Sequence, residues 1–341
     1  MTAKRLGFFT RLLDQTDAAS RYRLATEQIV TAERLGFDSA WVAQHHFFAD
    51  EGGLPSPFVL LAHIAAHTSR IRLGTGIVTL ALENPLRVAE DAAVFDLLSG
   101  GRLELGVGSG GNPQAFPLFG QVNAERTGVY VANMHAMRAA LRGDGLGGDA
   151  VLYPAGAQLL DRMWQATFSA EGGKRAGLDG DGLMLSRTQP RPANAPKATL
   201  SDMQEPIIDA YLAALPAGRA PRITGSRTLF VADNRAEARR YADTGLRRHE
   251  ARLRGLGRAV PGETLDELIA STDSIIGTVD EVLDTLRGDP TLNRVTDLVF
   301  QVHSIDPPHP LILRSLELVA TKVAPALGWQ LAPVRQLEPA Q

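Results

Sequence analysis

Short apolar runs alternate with amphipathic helical patterns eight times along this chain, and that alternation constrains the fold more than any other feature. The sequence predicts strands over 4–9, 39–43, 71–79, 102–108, 162–168, 182–186, 222–231 and 296–302. Helical patterns fill the gaps at 18–35, 56–67, 85–98, 125–141, 171–178, 204–214 and 234–252, and a last one follows at 310–323. Local chemistry marks several ends. Ser56-Pro57 and Asn84-Pro85 each set a capping side chain ahead of a proline whose missing N–H costs nothing at the first helical position. Pro85, Val88, Ala92 and Phe95 recur at spacings of three and four, one apolar stripe to face a sheet, and Ser99-Gly100-Gly101 ends that helix.

This rhythm predicts an α/β fold, a single (β/α)8 TIM barrel domain over 1–341, more economically than an open sheet. Connections rich in Gly, Pro and Ala at 143–160 and 188–202, and an insertion at 253–272 before a helix-like 279–287, interrupt the spacing. They are expected as insertions at the carboxyl face of the strands, where a barrel keeps its chemistry. With 35 Lys+Arg against 38 Asp+Glu there is no basic surplus for nucleic acid. Cysteine is absent, which excludes disulfides, thiolate metal sites, iron–sulfur clusters and a thiol nucleophile. No run of about 18 apolar residues exists to span a membrane. The start, Lys4 to Arg11, reads as a first strand rather than a signal peptide, so the expected location is the cytoplasm.

The second predicted strand ends in Gln44-His45-His46-Phe47, with Asp50 and Glu51 close behind. Adjacent residues of an extended chain point to opposite faces, so His45 and His46 would not readily chelate one ion, and no metal site is expected. A structural role for one imidazole and a proton-handling role for the other fits better. In the fourth strand Gly106, Gly108 and Gly111 satisfy the G-x-G-x-x-G fingerprint, which requires a helix to begin at once beneath a pyrophosphate. Pro113 and Pro117 follow instead, so the dinucleotide reading fails. What remains around Ser109-Gly110-Gly111 is either a plain turn or backbone that a flat or phosphorylated ligand can approach. After the fifth strand, Thr167-Phe168-Ser169-Ala170-Glu171-Gly172-Gly173 combines a hydroxyl, glycines and a helix start, a phosphate cup or equally only a turn. Arg187 ends the sixth strand and would stand at the barrel mouth.

Taken together these segments resemble the bacterial luciferase-like flavin-dependent monooxygenases. The resemblance rests on Gly36-Phe37-Asp38-Ser39-Ala40-Trp41, Gln44-His45-His46-Phe47, Gly74-Thr75-Gly76-Ile77-Val78 and Asn84-Pro85-Leu86-Arg87-Val88-Ala89-Glu90-Asp91. It continues through Leu97-Leu98-Ser99-Gly100-Gly101-Arg102 and Phe116-Pro117-Leu118-Phe119-Gly120, and resumes near 169–186 and Ile276-Gly277-Thr278. It implies His45 as the active-site histidine and a non-proline cis peptide at Gly76-Ile77 beneath a flavin ring. Gln44 and Glu90 match cofactor-side polar residues, and Ser169 and Gly172 fall where the family binds the flavin phosphate. Ser109 stands in place of a phosphate-binding arginine and Arg187 in place of a tryptophan near the ring, so the cofactor site is rebuilt.

The implied activity is FMN-dependent monooxygenation. Reduced flavin from a separate reductase and dioxygen would act through a flavin 4a-hydroperoxide on a small organic substrate, in a homodimer. His45 would then handle the peroxy proton, titrating near neutrality, and Arg187 would stabilise the anionic reduced ring. A deazaflavin-dependent dehydrogenase and a non-catalytic flavin-binding protein are the competing readings. The insertion at 253–272 is expected to close over the mouth as a lid.

Overall fold

The computed structural model describes residues 4–332 except 256 and 258–261. Its strands are β1 (Arg5–Thr10), β2 (Ser39–Val42), β3 (Arg72–Thr75), β4 (Val78–Thr79) and β5 (Leu103–Gly108). They continue with β6 (Met163–Thr167), β7 (Gly182–Leu185), β8 (Ile223–Val231), β9 (Ser274–Gly277) and β10 (Asp297–Gln301). All ladders are parallel. The order runs β10-β1-β2-β3-β5-β6-β7-β8, and β8 pairs with β10, closing an eight-stranded TIM barrel. Gly7, for example, pairs with Ser39 on one side and Val299 on the other.

The structure departs from the sequence expectation in four places, the smallest being that Ser56 makes no side-chain cap bond to the helix Pro57–Ala65. The predicted strand 71–79 is two short strands flanking a cis Gly76–Ile77 peptide, with β4 continuing the ladder on β5. The strand β9 was not foreseen, because it lies outside the closed ring, on the outer half of β8: Thr228 to Val231 pair with it while Ile223 to Gly225 pair with β7. The helix expected at 204–214 begins at Leu200, where Thr199 and Asp202 form a reciprocal capping box, so Pro206 lies inside the helix rather than in its first turn. The connection at 188–202 is shortened accordingly.

In the insertion at 253–272, the helix Leu265–Ser271 packs Leu268 against Ala242 and Leu246 of the helix Arg235–Gly255. Residues 256 and 258–261 of the insertion expected to form a lid lie outside the described residues. Among the described residues no helix is long and apolar enough to cross a membrane.

Two tryptophans plug the barrel. Trp41 of β2 and Trp164 of β6 meet edge to face with centroids 5.8 Å apart. They fit only because their neighbours lack side chains: a Cβ on Gly74 would lie 2.2 Å from Trp41, and one on Gly182 2.1 Å from Trp164. Beneath them Glu104 accepts the Trp164 indole N–H at 2.6 Å and pairs with Arg72. The buried carboxylate is therefore fully partnered, as burial demands. This filled lower half leaves the carboxyl end of the barrel open for a site.

Candidate active site

A cavity of about 520 Å³ opens above the tryptophan plug, at the carboxyl ends of the strands. That volume lies within the range of small-ligand and cofactor sites. Its inner end is mostly apolar, built from Phe9, Trp41, Ile77, Ala166, Met184 and Val299. Two glycines thin this wall. A Cβ on Gly76 would lie 2.5 Å from the Phe9 ring, and one on Gly108 3.1 Å from Ile77. Two buried polar atoms of residues that line the cavity, Thr224 Oγ1 and Gln301 Oε1, have no hydrogen-bond partner. Orphaned polar atoms of this kind are uncommon in folded chains and point to a ligand or water that completes them.

The outer end is polar, and the loops after β5 and β6 build it. Ser109, Gly110 and Gly111 come from the first; Thr167, Ser169 and Gly172 come from the second. Ser169 caps the helix Ala170–Leu178 by accepting the Gly172 N–H at 3.2 Å, while Thr167 Oγ1 accepts the Ser169 N–H at 3.1 Å. A helix N-terminus thus meets the cavity. Two arginines that the sequence reading missed complete this end. Arg126 donates to Asn123 Oδ1 at 2.9 Å and keeps a buried, unpartnered Nε; Arg175 donates to Gln165 Oε1 at 3.3 Å and lies over the Tyr130 ring. Neither forms an ion pair among the described residues. No motif marks them, since each is one arginine of an ordinary helix.

Of the residues singled out from sequence, Gly76, Ile77, Ser109, Gly110, Ser169 and Gly172 come together in this wall. The other four do not. Gln44 is occupied structurally, donating to Glu83 at 2.6 Å and to the Pro55 carbonyl, and accepting the Thr79 N–H at 2.7 Å. Glu90 lies on the outer helix Pro85–Leu98, ion-paired with Arg87. Its place on that helix faces it away from the barrel.

His45 and Arg187 belong instead to a charged cluster beside the cavity. His45 Nε2 accepts from Arg11 at 2.8 Å, which places the proton of the neutral ring on Nδ1, and that atom has no partner. Burial first, then Arg11, His303, His46 and Arg252, hold its pKa well below 6.5. The expected titration near neutrality is therefore corrected: His45 is neutral across the physiological range. Arg187 is 3% exposed and donates to Thr228 Oγ1 at 2.8 Å and Ser304 Oγ at 3.4 Å. Burial, with Arg11 next, lowers it to about 9. His249 and His303 stack edge to face at 5.2 Å in the same cluster. Burial, followed by His303 and the arginines 187, 11 and 252, takes His249 down to about 3.

Residues 6–288 match the model of the luciferase-like monooxygenase family, and the chain belongs to that family. It is an oxidoreductase. The chain is 29% identical over 278 residues to 4-hydroxyprotoasukamycin monooxygenase of Streptomyces nodosus subsp. asukaensis, covering 75% of this chain and 73% of that protein. Its fold is similar to that of the monooxygenase RslO1 from Streptomyces bottropensis, with a TM-score of 0.75 at 23% identity over 95% of this chain and 99% of that one. It is also similar in fold to the oxygenating constituent of 3,6-diketocamphane monooxygenase from Pseudomonas putida, solved in complex with FMN. There the TM-score is 0.71 at 20% identity, over 95% of this chain and 99% of that one.

Proposed function

We propose that this chain is the oxygenase component of a two-component FMN-dependent monooxygenase acting on a small organic substrate. The observation that carries the reading is a single cavity with an apolar inner end and, at its outer end, a capped helix N-terminus flanked by Arg126 and Arg175 without carboxylate partners. That is the polarity an amphiphilic cofactor with a flat ring and a phosphate tail requires. The FMN named with the structural neighbour from Pseudomonas putida supports the same reading. When bound, reduced FMN supplies two electrons to dioxygen, one oxygen atom passing to the substrate and the other leaving as water.

The protein's part is binding, orientation and exclusion of water. Phe9, Trp41, Ile77 and Met184 present a dry floor to the ring, and Gly76 and Gly108 let it approach the backbone. Ser109, Gly110, Ser169, Gly172, Arg126 and Arg175 hold the phosphate, the two arginines supplying the charge that Ser109 lacks. His45 serves as a positioning residue: its Nε2 is taken by Arg11, so it fixes that guanidinium rather than shuttling a proton.

The chain functions as one barrel domain in the cytoplasm, supplied with reduced flavin by a separate reductase. Exposed Leu86, Val94, Leu97 and Leu98 form a stripe along one helix, beside Val59 at 70% exposure on its neighbour, which supports a homodimer. Fluorescence titration of the chain, whose Trp41 lines the cavity, with FMN and with riboflavin tests the assignment. A charge-assisted hydrogen bond contributes about 1.5–3 kcal/mol, so FMN should bind at least about tenfold tighter than riboflavin, and Arg175→Gln or Arg126→Gln should erase most of that difference. Equal affinity for the two ligands in the wild type would overturn the reading.

A further inference from the structure

We propose that the cavity wall formed by β8 and β10 carries a hydroxyl-recognising subsite, built on Ser226 and Gln301 with Thr224 below, that selects a neutral, hydroxyl-bearing substrate. This rests on the monooxygenase reading for what is oxidised, but the subsite stands on its own geometry.

The inner end of the cavity is polar on one side only. Thr224 and Ser226 both line it from β8, a step of two that returns to the same face of a strand about 7 Å further on. Gln301, the last residue of β10, reaches across to Ser226, its Nε2 donating to Ser226 Oγ at 3.1 Å. Phe9, Met184 and Val299 beside them are apolar, and the Trp41 indole N–H is taken by Ser39 Oγ at 2.9 Å. Among the described residues the charged groups that line the cavity are Arg126, Glu171 and Arg175, all from the helices at its outer end. An ionised group at the inner end would therefore be buried without a counter-charge, whereas a neutral polar group finds partners on β8 and β10.

The order of strands sets this polar side opposite the wall on which the flavin ring is proposed to lie. From β8 the closed barrel runs through β10, β1 and β2 to β3 in one direction, and through β7, β6 and β5 to β3 in the other. Gly76 and Ile77 follow directly on β3, four strands away by either route. A ring seated on Gly76 and Ile77 turns its free face toward Ser226 and Gln301, and a substrate held by that pair lies between.

The Ser226–Gln301 pair is not saturated. With Nε2 given to Ser226, Gln301 Oε1 has no donor and the Ser226 O–H no acceptor among the described residues. Turning the amide over only exchanges the roles: Nε2 becomes the free donor and a Ser226 lone pair the free acceptor. In either orientation the pair keeps one donor and one acceptor, the complement of a hydroxyl group, which gives one proton and accepts another. Below it Thr224, 2% exposed, has no partner for Oγ1. Thr228, two residues beyond Ser226, is by contrast satisfied, donating to the His303 carbonyl at 2.7 Å and accepting from Arg187 at 2.8 Å. A site whose buried polar groups are completed by a ligand hydroxyl rejects the analogue that lacks it, because those groups then stay unpaired.

Phenol and toluene, which differ by little more than O–H against methyl, test this in the full-length chain. Binding is read by Trp41 fluorescence in the FMN-free chain and by flavin absorbance in the FMN-loaded chain. In Ser226→Ala the phenol-to-toluene affinity ratio should fall at least about fivefold, through weaker binding of phenol, with FMN affinity within about twofold of wild type. Gln301→Met should lower the ratio in the same way, and Ser109→Ala, at the outer end, should leave it within about twofold. The FMN-free titration reports on the subsite even if FMN does not bind, so the two readings fail separately. An unchanged ratio in either Ser226→Ala or Gln301→Met would overturn the proposal. A loss of FMN affinity in these variants without any change in the ratio would also overturn it, by assigning the pair to the edge of the flavin ring.

Discussion

Acidification from pH 7 to pH 5 should destabilise this barrel through the histidines buried at its mouth, and His249 gives the magnitude. Burial opposes its protonation most strongly, then His303, Arg187, Arg11 and Arg252, while the nearby Asp306 carboxylate acts in favour of it. Its folded-state pKa of about 3 against the usual 6.5 means that the unfolded chain binds more protons between those values. Stability from this group is therefore complete above pH 6.5 and drains as pH falls. At pH 5 the gap is about 1.5 units, which corresponds to about 2 kcal/mol.

Asp306 acts in the opposite sense. Burial raises it to about 6 from 3.8, so the folded chain holds its proton longer and recovers about 1 kcal/mol on the same acidification. His249→Gln removes one titration while any fixed cost of the substitution cancels between the two pH values. Urea unfolding of both chains at pH 5 and pH 7 should show the wild type losing about 2 kcal/mol more than the variant. Parallel losses would refute the claim that His249 is buried neutral among arginines.

Gly182→Ala should cost about 3 kcal/mol, because its Cβ would sit 2.1 Å from a Trp164 ring pinned by Glu104, whereas Gly145→Ala, with nothing within 4 Å, should be nearly neutral; denaturant midpoints check both. His45→Ala should lose about 1 kcal/mol by removing one acceptor of Arg11, whose bonds to the Glu51 carbonyl remain, with FMN affinity within about twofold of wild type, and His45→Gln should recover most of the stability by restoring the acceptor. Unfolding curves paired with FMN titrations measure this, and full stability of the alanine variant would remove the positioning role.

The barrel was largely legible because each strand and helix announces itself locally. Asn84 accepts the N–H groups of Leu86 and Arg87 as its place before Pro85 suggested, and every predicted strand recurs within a few residues of its place. β9 was missed because four residues paired to the outer half of another strand carry no periodicity of their own. The cavity wall was half legible: glycines and hydroxyls at strand ends signal close approach, and Gly76, Ser109 and Gly172 lie there. Arg126 and Arg175 were not, since only the packing of the helices Arg126–Arg142 and Ala170–Leu178 aims them inward. The mouth cluster was least legible. Arg11, His249, His303 and Asp306 come from distant segments, and no spacing in the sequence links them. Gln44 shows the converse, a residue whose motif suggested a ligand and whose hydrogen bonds hold the end of β2.

The most direct test of the central claim is an anaerobic titration of the chain with reduced FMN and, separately, with a reduced deazaflavin, each followed by rapid mixing with oxygenated buffer. Reduced FMN should bind at least tenfold tighter and quench the emission of Trp41, which lines the cavity. Its reoxidation rate should then depend on chain concentration and saturate when all the flavin is bound. Preferential binding of the deazaflavin, with no change in the rate at which reduced FMN meets oxygen, would contradict it.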